Sequence, residues 1–512
     1  MFDLGSRWWR FFLLSAVGVC AASGLIYELA LLTLSTSLNG GGVVETSLIV
    51  AGYVAALGAG ALFAKPLLRW PGMSFLIVET ALGIVGGISA LVLYIVFAAV
   101  GQSVVVLVLA TFLIGALVGM EVPLLMTLIQ QGKLADARSV GSLLATLNFA
   151  DYFGALVGGL VWPFILLPSL GMMRGTLAAG MVNLAAALFI AVVLLRSSLP
   201  ARQLWSAVVG LVLALIVLVA LLVRSDGIVT TARAVLYRDP VIHAEQSAYQ
   251  DIVVTRRGQD RRLYLNGGLQ YSSRDEYRYT ESLVYPALTA ETKSALIIGG
   301  GDGLAARELL RFGVPSITQV ELDPAVVELA NTVLLADNGG ALQDPRVHVI
   351  NEDAFTWLRA GGEGKTYDAV IIDLPDPDNP TLARLYSEEF YMLARSALAP
   401  EGRMVVQASS AFTTPDVFWR VRSTLASAGC LKTIPYHTHV PTFGDWGFVL
   451  CGPEQMHLEL PDAQGLRYLT PEVLAAAAVF GLDNGPRELP PSTLDRPYIV
   501  DDLRRGYRQA GE

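Results

Sequence analysis

Four acidic residues stand at or just after the ends of four predicted strands in the second half of the chain. They are Asp302, Glu321, Asp353 and Asp373. In an open α/β sheet, ligands bind beyond the carboxyl ends of the parallel strands. Because negative charges around one crevice repel one another, we expect a cation to join them. A divalent metal could do so, but no histidine or familiar ligand spacing supports one, and an alkyl polyamine fits as well without a metal.

The first of these acids lies in a glycine-rich turn, Gly-Gly-Gly-Asp-Gly at 299–303. Glycines at a strand end allow a tight turn and a close approach of the backbone to a nucleoside. Such a turn alone could equally serve a dinucleotide cofactor. Asp302, however, would repel a pyrophosphate and attract a cationic ligand, and Glu321 is placed to bind ribose hydroxyl groups. The combination predicts a site for adenosine with a positively charged tail.

The third acid, Asp353, is predicted to accept a hydrogen bond from an adenine amine. The alternative is that it caps the helix that begins near Ala354, and the two roles can coexist. The fourth acid, Asp373, lies in the predicted strand 369–374 and is followed closely by Asp376. We expect this strand end to carry the chemistry.

The elements that must position these residues alternate between strand and helix. Predicted strands lie at 295–298, 317–322, 347–351, 369–374, 403–408 and 447–450, and predicted helices at 304–311, 325–335, 388–398 and 416–428. Repeated βαβ units indicate a mostly parallel sheet covered on both faces. A stretch of small hairpins precedes it, with predicted strands at 250–257, 261–266 and 269–273.

The two halves of the chain differ in composition. Charged residues make up 16% of the chain, against about 25% in an average soluble domain. Up to Arg224 there are 10 Lys and Arg and 7 Asp and Glu, whereas the remainder has 26 and 38. The chain therefore divides near residue 225 into an apolar half and an acidic half. The acidic half argues against nucleic acid as a partner and suits a cationic substrate.

Seven segments in the apolar half are long enough to cross a lipid bilayer, which takes roughly 20 apolar residues. They lie at 11–37, 43–64, 74–99, 103–130, 140–168, 173–195 and 204–223. Apart from Arg174, the basic residues of the short loops fall on one side of an alternating topology: Arg7, Arg10, Lys65, Arg69, Lys133, Arg138, Arg196 and Arg202. The positive-inside rule then places the N-terminus of this multi-pass cell-membrane protein in the cytoplasm. Seven crossings would put the second half outside, whereas a nucleoside substrate is expected inside, so the side stays open.

Four ionisable residues interrupt the apolar segments: Glu28, Glu79, Glu121 and Asp151. Such groups are costly in lipid and usually face the interior of a helix bundle. One interpretation is a polar pathway for a polyamine, and the other is hydrogen bonding that fixes the packing of the helices. Gly154, Gly158 and Gly159 indicate a close contact between two helices.

The predicted fold is a multi-pass α-helical membrane domain at 1–225, then a connector with a small β domain at 226–290. An α/β Rossmann-like domain of the methyltransferase type follows at 291–465, and a C-terminal helical tail at 466–512. The three cysteines, Cys20, Cys430 and Cys451, have no metal-ligand spacing and imply no disulfide framework. Each is interpreted as a small buried hydrophobic residue.

Short motifs in a fixed order run along residues 237–455. They are Tyr249-Gln250-Asp251-Ile252, Leu263-Tyr264-Leu265-Asn266-Gly267, Leu269-Gln270, Asp275-Glu276-Tyr277-Arg278-Tyr279, the turn at 299–303, Val320-Glu321-Leu322-Asp323, Glu352-Asp353-Ala354, the segment 373–377, Gln407 and Val440-Pro441-Thr442. Together they resemble the polyamine aminopropyltransferases, the spermidine synthases. The apolar half resembles the N-terminal domain of the larger bacterial members of that family.

The resemblance implies that decarboxylated S-adenosylmethionine donates its aminopropyl group to putrescine, giving spermidine and 5′-methylthioadenosine without a metal or redox cofactor. By family position, Asp373 is the proton acceptor. Polyamine binding is expected at Tyr279, Asp302 and Asp376, and binding of the nucleoside donor at Gln250, Glu321, Asp353 and Ala354. The family also tends to form homodimers or homotetramers.

Three departures from the family pattern concern the amine acceptor. Thr280 replaces a His or Gln, Phe443 stands where a Tyr is usual, and Leu374-Pro375 replaces two small hydroxyl residues. They leave the donor side intact and make a longer or different amine an alternative to putrescine.

Two other functions compete with aminopropyl transfer. A methyltransferase on the same fold is disfavoured because three aspartates suit an amine and leave no place for the methionine carboxylate. A membrane sensor or carrier of polyamines or nucleosides, whose second half only binds ligand, would fit the acidic residues of the apolar segments.

Overall fold

The computed structural model describes residues 7–39, 43–101, 103–131, 140–196 and 198–511. The chain divides into two compact units, Met1–Val241 and Ile242–Glu512. Two of the basic residues used for the topology, Lys133 and Arg138, lie outside the described residues. The predicted boundary at residue 225 falls inside a helix that continues to Tyr237.

The first unit consists of helices in the part of the chain that is described. They are α1 (Arg7–Asn39), α2 (Val43–Phe63), α3 (Pro71–Val100), α4 (Val104–Gln131), α5 (Val140–Val161), α6 (Leu167–Phe189) and α7 (Ala201–Tyr237), with π-helical turns at Trp162–Leu166 and Ile190–Leu194 and a 3₁₀ turn at Lys65–Arg69. These seven helices overlap the seven apolar segments of the sequence.

By length and composition, six stretches of the described residues could cross a membrane, and one of them, Leu144–Leu194, has 51 residues. At 1.5 Å per residue such a stretch spans about 76 Å, more than twice the ~30 Å of a bilayer core. It is also broken at Gly171, whose φ of 71° and ψ of 179° are not helical. This stretch therefore contributes two of the seven helices.

The packing of the first unit buries polar groups and exposes apolar ones. Glu79 is 0% and Glu121 3% exposed, whereas Phe164 is 75% and Val223 77% exposed. The expected close helix contact joins α1 and α5, since a Cβ on Gly154 would come within 2.0 Å of the Gly18 carbonyl oxygen. Only a small residue allows two helix backbones to approach that closely.

The second unit is built around a seven-stranded sheet in the order β10-β11-β9-β8-β5-β6-β7. The strands are β5 (Ser294–Gly299), β6 (Ser316–Glu321), β7 (Val347–Asn351), β8 (Tyr367–Asp373), β9 (Leu398–Gln407), β10 (Lys432–Val440) and β11 (Gly444–Gly452). The strands from β5 to β9 pair in parallel, whereas β11 pairs antiparallel with both β9 and β10. The predicted Rossmann-like fold is thus confirmed, with an antiparallel hairpin at one edge.

Both faces of this sheet are covered, because alternate residues of each buried strand face opposite sides. Ala295 and Ile297 of β5 belong to one hydrophobic core, and Leu296 and Ile298 to the other. The helices of the unit are α8 (Glu276–Val284), α9 (Leu304–Phe312), α10 (Pro324–Ala330), α11 (Leu335–Asn338), α12 (Ala354–Arg359), α13 (Pro380–Ala383), α14 (Glu388–Ser396), α15 (Pro415–Ser427), α16 (Pro471–Ala477) and α17 (Tyr498–Ala510).

A four-stranded sheet precedes the large one and matches the small β domain of the prediction. Its strands are β1 (Val241–Gln246), β2 (Asp251–Arg257), β3 (Asp260–Leu265) and β4 (Gly268–Ser272), in that order. Ile252 and Val254 of this sheet share a hydrophobic core with Leu304 and Val326, which follow β5 and β6. This core holds the small sheet next to the strand ends that carry the acids.

The C-terminal segment and two of the cysteines differ from expectation. The predicted helical tail contains α16 and α17, with irregular chain between and before them. Cys430 and Cys451 form a disulfide, so the interpretation of both as unpaired hydrophobic residues was wrong. Their pairing depends on the antiparallel register of β10 and β11, which the sequence spacing alone does not reveal. Cys20 is free and buried, as expected.

Candidate active site

The glycine turn wraps around the end of β8 and brings two of the predicted acids together. The Gly300 N–H donates to the Asp373 carbonyl oxygen at 3.0 Å. Gly299 has a φ of +79°, and a Cβ there would lie 2.1 Å from the same oxygen, so no other residue fits. Asp302, at the far side of the turn, accepts a hydrogen bond from the Leu304 N–H at 2.9 Å and so anchors the start of α9.

The expected proton acceptor and an expected amine ligand are in direct contact. The Tyr279 hydroxyl on α8 donates to Asp373 Oδ1 at 2.6 Å. Burial in the crevice raises the pKa of Asp373 to about 6, and the Tyr279 hydrogen bond opposes that rise. The pKa of Asp302 is raised to about 7 by burial and then by the nearby charge of Asp373. Among the described residues neither carboxylate forms an ion pair with a basic side chain, although the charge of Arg307 lowers the pKa of Asp302.

Asp376 is held by two hydroxyl groups that sequence reasoning missed. Ser409 Oγ donates to Asp376 Oδ2 at 3.2 Å, and Tyr507 Oη on α17 donates to the same oxygen at 2.9 Å. Asp376 Oδ1 is buried and has no hydrogen-bond partner within the described residues. Burial raises the pKa of Asp376 to about 6, and the hydrogen bonds from Tyr507 and Ser409 oppose the rise. One oxygen is therefore fixed while the other remains available.

Two further polar residues fix the loop between Asp373 and Asp376. Gln407, at the end of β9, donates through Nε2 to the Leu374 carbonyl oxygen at 2.6 Å. Tyr386 donates to the Pro375 carbonyl oxygen at 2.9 Å. The loop that replaces the family's two small hydroxyl residues is thus held through its backbone.

On the other side of the crevice, Glu321 and Gln250 are linked through Asp323. The Asp323 N–H donates to Glu321 Oε1 at 2.9 Å, and Gln250 Nε2 donates to Asp323 Oδ2 at 2.9 Å. A Cβ on Gly301 would come within 2.8 Å of Glu321 Oε2, so the glycine turn makes room for this carboxylate. Burial raises the pKa of Glu321 to about 7, opposed by backbone N–H groups that include those of Asp323 and Gly301.

Asp353 uses both of its carboxylate oxygens within the protein. Oδ1 accepts from the Thr356 N–H at 2.8 Å and caps α12, the alternative that the sequence had left open. Oδ2 forms an ion pair with Arg384, a partner that no sequence motif indicated. Ala354 is the first residue of α12, where backbone N–H groups have no partner within the helix.

The departures near the amine side fall into two kinds. Thr280 is 2% exposed, and its hydroxyl donates to the Glu276 carbonyl oxygen at 3.0 Å inside α8. Glu276 in turn pairs with Arg307 at 2.8 Å. Thr280 therefore belongs to the buried contacts that join α8 to α9, and its effect on the choice of amine stays a prediction.

Phe443, by contrast, forms part of an aromatic wall beside Tyr279. The ring centroids of Phe443 and Tyr279 are 6.0 Å apart, and Trp446 lies 5.5 Å from Phe443. The loop that carries Phe443 is held by Asp275, which accepts from the Thr442 N–H at 2.9 Å. No group of three or more His, Cys, Asp or Glu residues in the described part of the chain could hold a metal ion.

The fold and the crevice define the class of protein, which is a Rossmann-like domain with a carboxylate-lined site beyond its parallel strands. The spermine/spermidine synthase domain family matches residues 276–459. The polyamine aminopropyltransferase of Corynebacterium efficiens is 71% identical over 509 residues, covering 99% of this chain and 98% of that protein. The one from Mycobacterium tuberculosis is 59% identical, covering 98% and 97%, and polyamine aminopropyltransferase 1 of Streptomyces coelicolor is 46% identical, covering 99% and 96%.

The chain belongs to the polyamine aminopropyltransferase family. It is an enzyme of aminopropyl transfer, and its co-substrate is decarboxylated S-adenosylmethionine with no further cofactor. The relatives favour this function over methyl transfer and over a protein that only binds ligand. Their similarity covers nearly the whole chain, the helical unit included.

Proposed function

We propose that this enzyme transfers the aminopropyl group of decarboxylated S-adenosylmethionine to putrescine, with Asp373 as the proton acceptor. The observation that carries the proposal is the grouping of Asp302, Asp373 and Asp376 beyond the strand ends. In the described part of the chain, the hydrogen bonds to the Asp373 and Asp376 carboxylates come from the hydroxyl groups of Tyr279, Ser409 and Tyr507. A diamine with two ammonium groups would supply the positive charge that these carboxylates lack.

The reaction needs a neutral nitrogen, because only the lone pair of an amine can attack. A free alkyl ammonium has a pKa near that of Lys, about 10.4, so a base must remove its proton at neutral pH. The raised pKa of Asp373, about 6, makes it a better proton acceptor than an ordinary aspartate while leaving it ionised at pH 7. The nitrogen then forms a bond to the carbon next to the sulfonium, the C–S bond breaks, and neutral methylthioadenosine leaves.

The remaining site residues have positioning roles in this proposal. Asp302, Asp376 and Tyr279 would hold the amine so that one nitrogen lies near Asp373. The nucleoside would be bound by Glu321 at its ribose, by Gln250, and at its adenine by Asp353 and the Ala354 N–H. Orientation accounts for most of the rate enhancement, since a sulfonium is already a good leaving group.

A product assay with the purified full-length chain tests the proposal. Decarboxylated S-adenosylmethionine and putrescine should give spermidine and methylthioadenosine in equal amounts, measured by mass spectrometry, and a series of longer diamines should react more slowly. Absence of product from every diamine, with normal methylthioadenosine binding, would contradict transfer and favour a ligand-binding protein. A methylated product from S-adenosylmethionine would favour a methyltransferase instead.

We also propose that the helical unit is embedded in the cell membrane. Six stretches of the described residues are long and apolar enough to cross one. Large apolar side chains such as Phe149 and Phe164 are exposed, while Glu79 and Glu121 are buried, an arrangement that suits a lipid surrounding. Recovery in the membrane fraction after carbonate washing tests this, and reporter fusions on either side of residue 241 give the side of the catalytic unit.

A homodimer or homotetramer stays a prediction, to be checked by light scattering.

A further inference from the structure

Two carboxylates in the interior of the helical unit are not among the residues to which the transfer reaction is assigned above. Glu79 on α3 is 0% exposed and Glu121 on α4 is 3% exposed. Both oxygens of Glu79 and Oε1 of Glu121 are buried without a hydrogen-bond partner in the described residues. Burial of an ionised carboxylate without a partner is strongly unfavourable. These two groups therefore need protons or a cation.

Near the Glu79 and Glu121 carboxylates, two neutral side chains also have oxygens without a hydrogen-bond partner in the described residues. The Tyr27 hydroxyl and the Asn183 amide oxygen belong to fully buried residues, and neither atom has a partner within the described part of the chain. Tyr27 has Glu79 and Glu121 as electrostatic neighbours. Asn183 Nδ2 donates to the Glu79 carbonyl oxygen at 3.3 Å, and the Asn183 side chain also lies next to the Glu79 carboxylate.

Contacts to the Glu79 carboxylate itself are incomplete. The Asn183 and Cys20 side chains lie within reach of this carboxylate, but at a geometry that leaves both Glu79 oxygens without a hydrogen bond. A hydrogen bond needs a suitable angle as well as a short distance. The polar surroundings are thus present but unsatisfied.

The charges around this cluster are all of one sign. The electrostatic neighbours of Glu121 are Glu79 and Asp151, and no ion pair joins Glu79 or Glu121 to a basic residue among the residues described. Tyr27, Glu79, Glu121 and Asn183 lie on α1, α3, α4 and α6, and Asp151 of α5 is a charged neighbour, so the four side chains lie where most of the helices of the unit meet. Hydrogen bonding that merely fixes the packing would leave these oxygens paired, and they are not.

We propose that Glu79, Glu121, Asn183 and Tyr27 form a binding site for an alkylammonium ion inside the helical unit. A primary ammonium group has three N–H donors, and the unpartnered carboxylate and amide oxygens of Glu79, Glu121 and Asn183 supply three acceptors. The Tyr27 hydroxyl supplies a fourth polar contact. A metal ion is less well matched, because the described residues contain no group of three His, Cys, Asp or Glu that could bind one. The helical unit is thereby assigned amine binding separate from the transfer reaction.

Equilibrium binding of radiolabelled putrescine to the full-length chain in lipid nanodiscs tests this site. The choice of putrescine rests on the proposed function, whereas the site itself does not. We expect two bound equivalents per chain. The double variant E79Q/E121Q should retain only one, with a transferase rate that stays within about twofold of the parent. The matched control E28Q changes a half-buried carboxylate of α1 in the same way and should retain both equivalents.

A second pair of variants separates this site from the active site. D302N/D376N should lose the equivalent bound in the crevice and retain the one in the helical unit. If the proposed transfer to putrescine failed, the putrescine bound in the helical unit would therefore still be detected. If E79Q/E121Q does not fold, Y27F replaces it. Loss of one hydrogen bond to a charged ligand should weaken the second equivalent by about tenfold.

Three results would overturn the proposal. The first is a single equivalent in the parent chain, which would mean that the two carboxyls are protonated. The second is a second equivalent that survives both E79Q/E121Q and Y27F with unchanged affinity. The third is a site that takes Na⁺ but no amine, which would assign the acids to a metal cation.

Discussion

The two sides of the crevice satisfy their carboxylates in different ways. On the nucleoside side, Glu321 accepts from a backbone N–H, and Asp353 combines a backbone N–H with an ion pair to Arg384. On the amine side, Asp373 and Asp376 accept from the hydroxyl groups of tyrosines and a serine. A hydroxyl group stabilises a carboxylate without neutralising it.

This difference indicates the charge of the ligand on each side. On the nucleoside side Asp353 has a basic partner in Arg384, and Glu321, whose pKa is raised by burial to about 7, accepts from backbone N–H groups. On the amine side burial raises the pKa of Asp373 and Asp376 to about 6, so both carboxylates are still mostly ionised at pH 7, and among the described residues neither forms an ion pair with a basic residue. A cationic substrate would lower both pKa values and gain binding energy in return.

Replacement of Asp373 by Asn should have the largest effect. D373N removes the proton acceptor, and the loss of a positioned general base should lower kcat by about 10³-fold or more. Methylthioadenosine binding, measured by calorimetry, should change by less than about twofold, because Asp373 belongs to the amine side. The matched control D378N alters an exposed aspartate five residues further on, whose charge contributes only to the raised pKa of Asp376, and should keep most of its activity. A kcat of D373N near that of the parent would remove Asp373 from the mechanism.

The pH dependence should follow the amine side. Asp373 and Asp376 have pKa values raised to about 6 and Asp302 to about 7, so these groups become protonated as the pH falls through that range. Protonation removes both the base and the charges that hold the amine. We expect kcat/KM for putrescine to fall about tenfold per pH unit below that range. An acidic limb that lies near pH 4 would contradict the raised pKa values.

The C-terminal helix should contribute to amine binding through one hydroxyl group. Y507F removes the hydrogen bond to Asp376 Oδ2 at 2.9 Å and leaves the ring in place. We expect KM for the amine to rise about fivefold to tenfold while KM for the donor stays constant. Y498F, at the start of the same helix, serves as the control. Equal changes in both KM values would indicate a general structural effect.

The smallest expected effect is that of Y279F on the acidic limb of the pH profile of kcat. The Tyr279 hydroxyl lowers the pKa of Asp373, so its removal raises that pKa. In Y279F, the acidic limb of kcat should therefore move to higher pH than in the parent enzyme. A limb at unchanged or lower pH would show that Tyr279 does not set the proton affinity of Asp373.

The positions of the acids at the strand ends could be predicted from the sequence, because local patterns indicate where buried strands end. Buried strands such as β5 and β8 are short apolar runs that end at glycine or aspartate, so their order along the chain places Asp302 and Asp373 at one edge. The partners of those acids could not be predicted in this way. Tyr507 lies 131 residues from Asp376, and only the folding of α17 onto the second unit brings the two together.

Dependence on tertiary packing also explains the other contacts that the sequence did not predict. Arg384 meets Asp353 across 31 residues, and the disulfide between Cys430 and Cys451 depends on strand register. Thr280 replaces a His or Gln of the family pattern, and its hydroxyl donates to Glu276 within α8. Sequence motifs identify which residues matter, whereas the direction of a side chain depends on the packing of its helix.

A crossed pair of variants tests the division of the crevice most directly. Steady-state kinetics of E321Q and D376N should be measured with both substrates varied. We predict that E321Q raises KM for the donor by about tenfold and leaves KM for putrescine unchanged, and that D376N does the reverse. If each variant raised both KM values equally, or if E321Q weakened only the amine, the assignment of one side to the nucleoside and the other to the amine would be wrong.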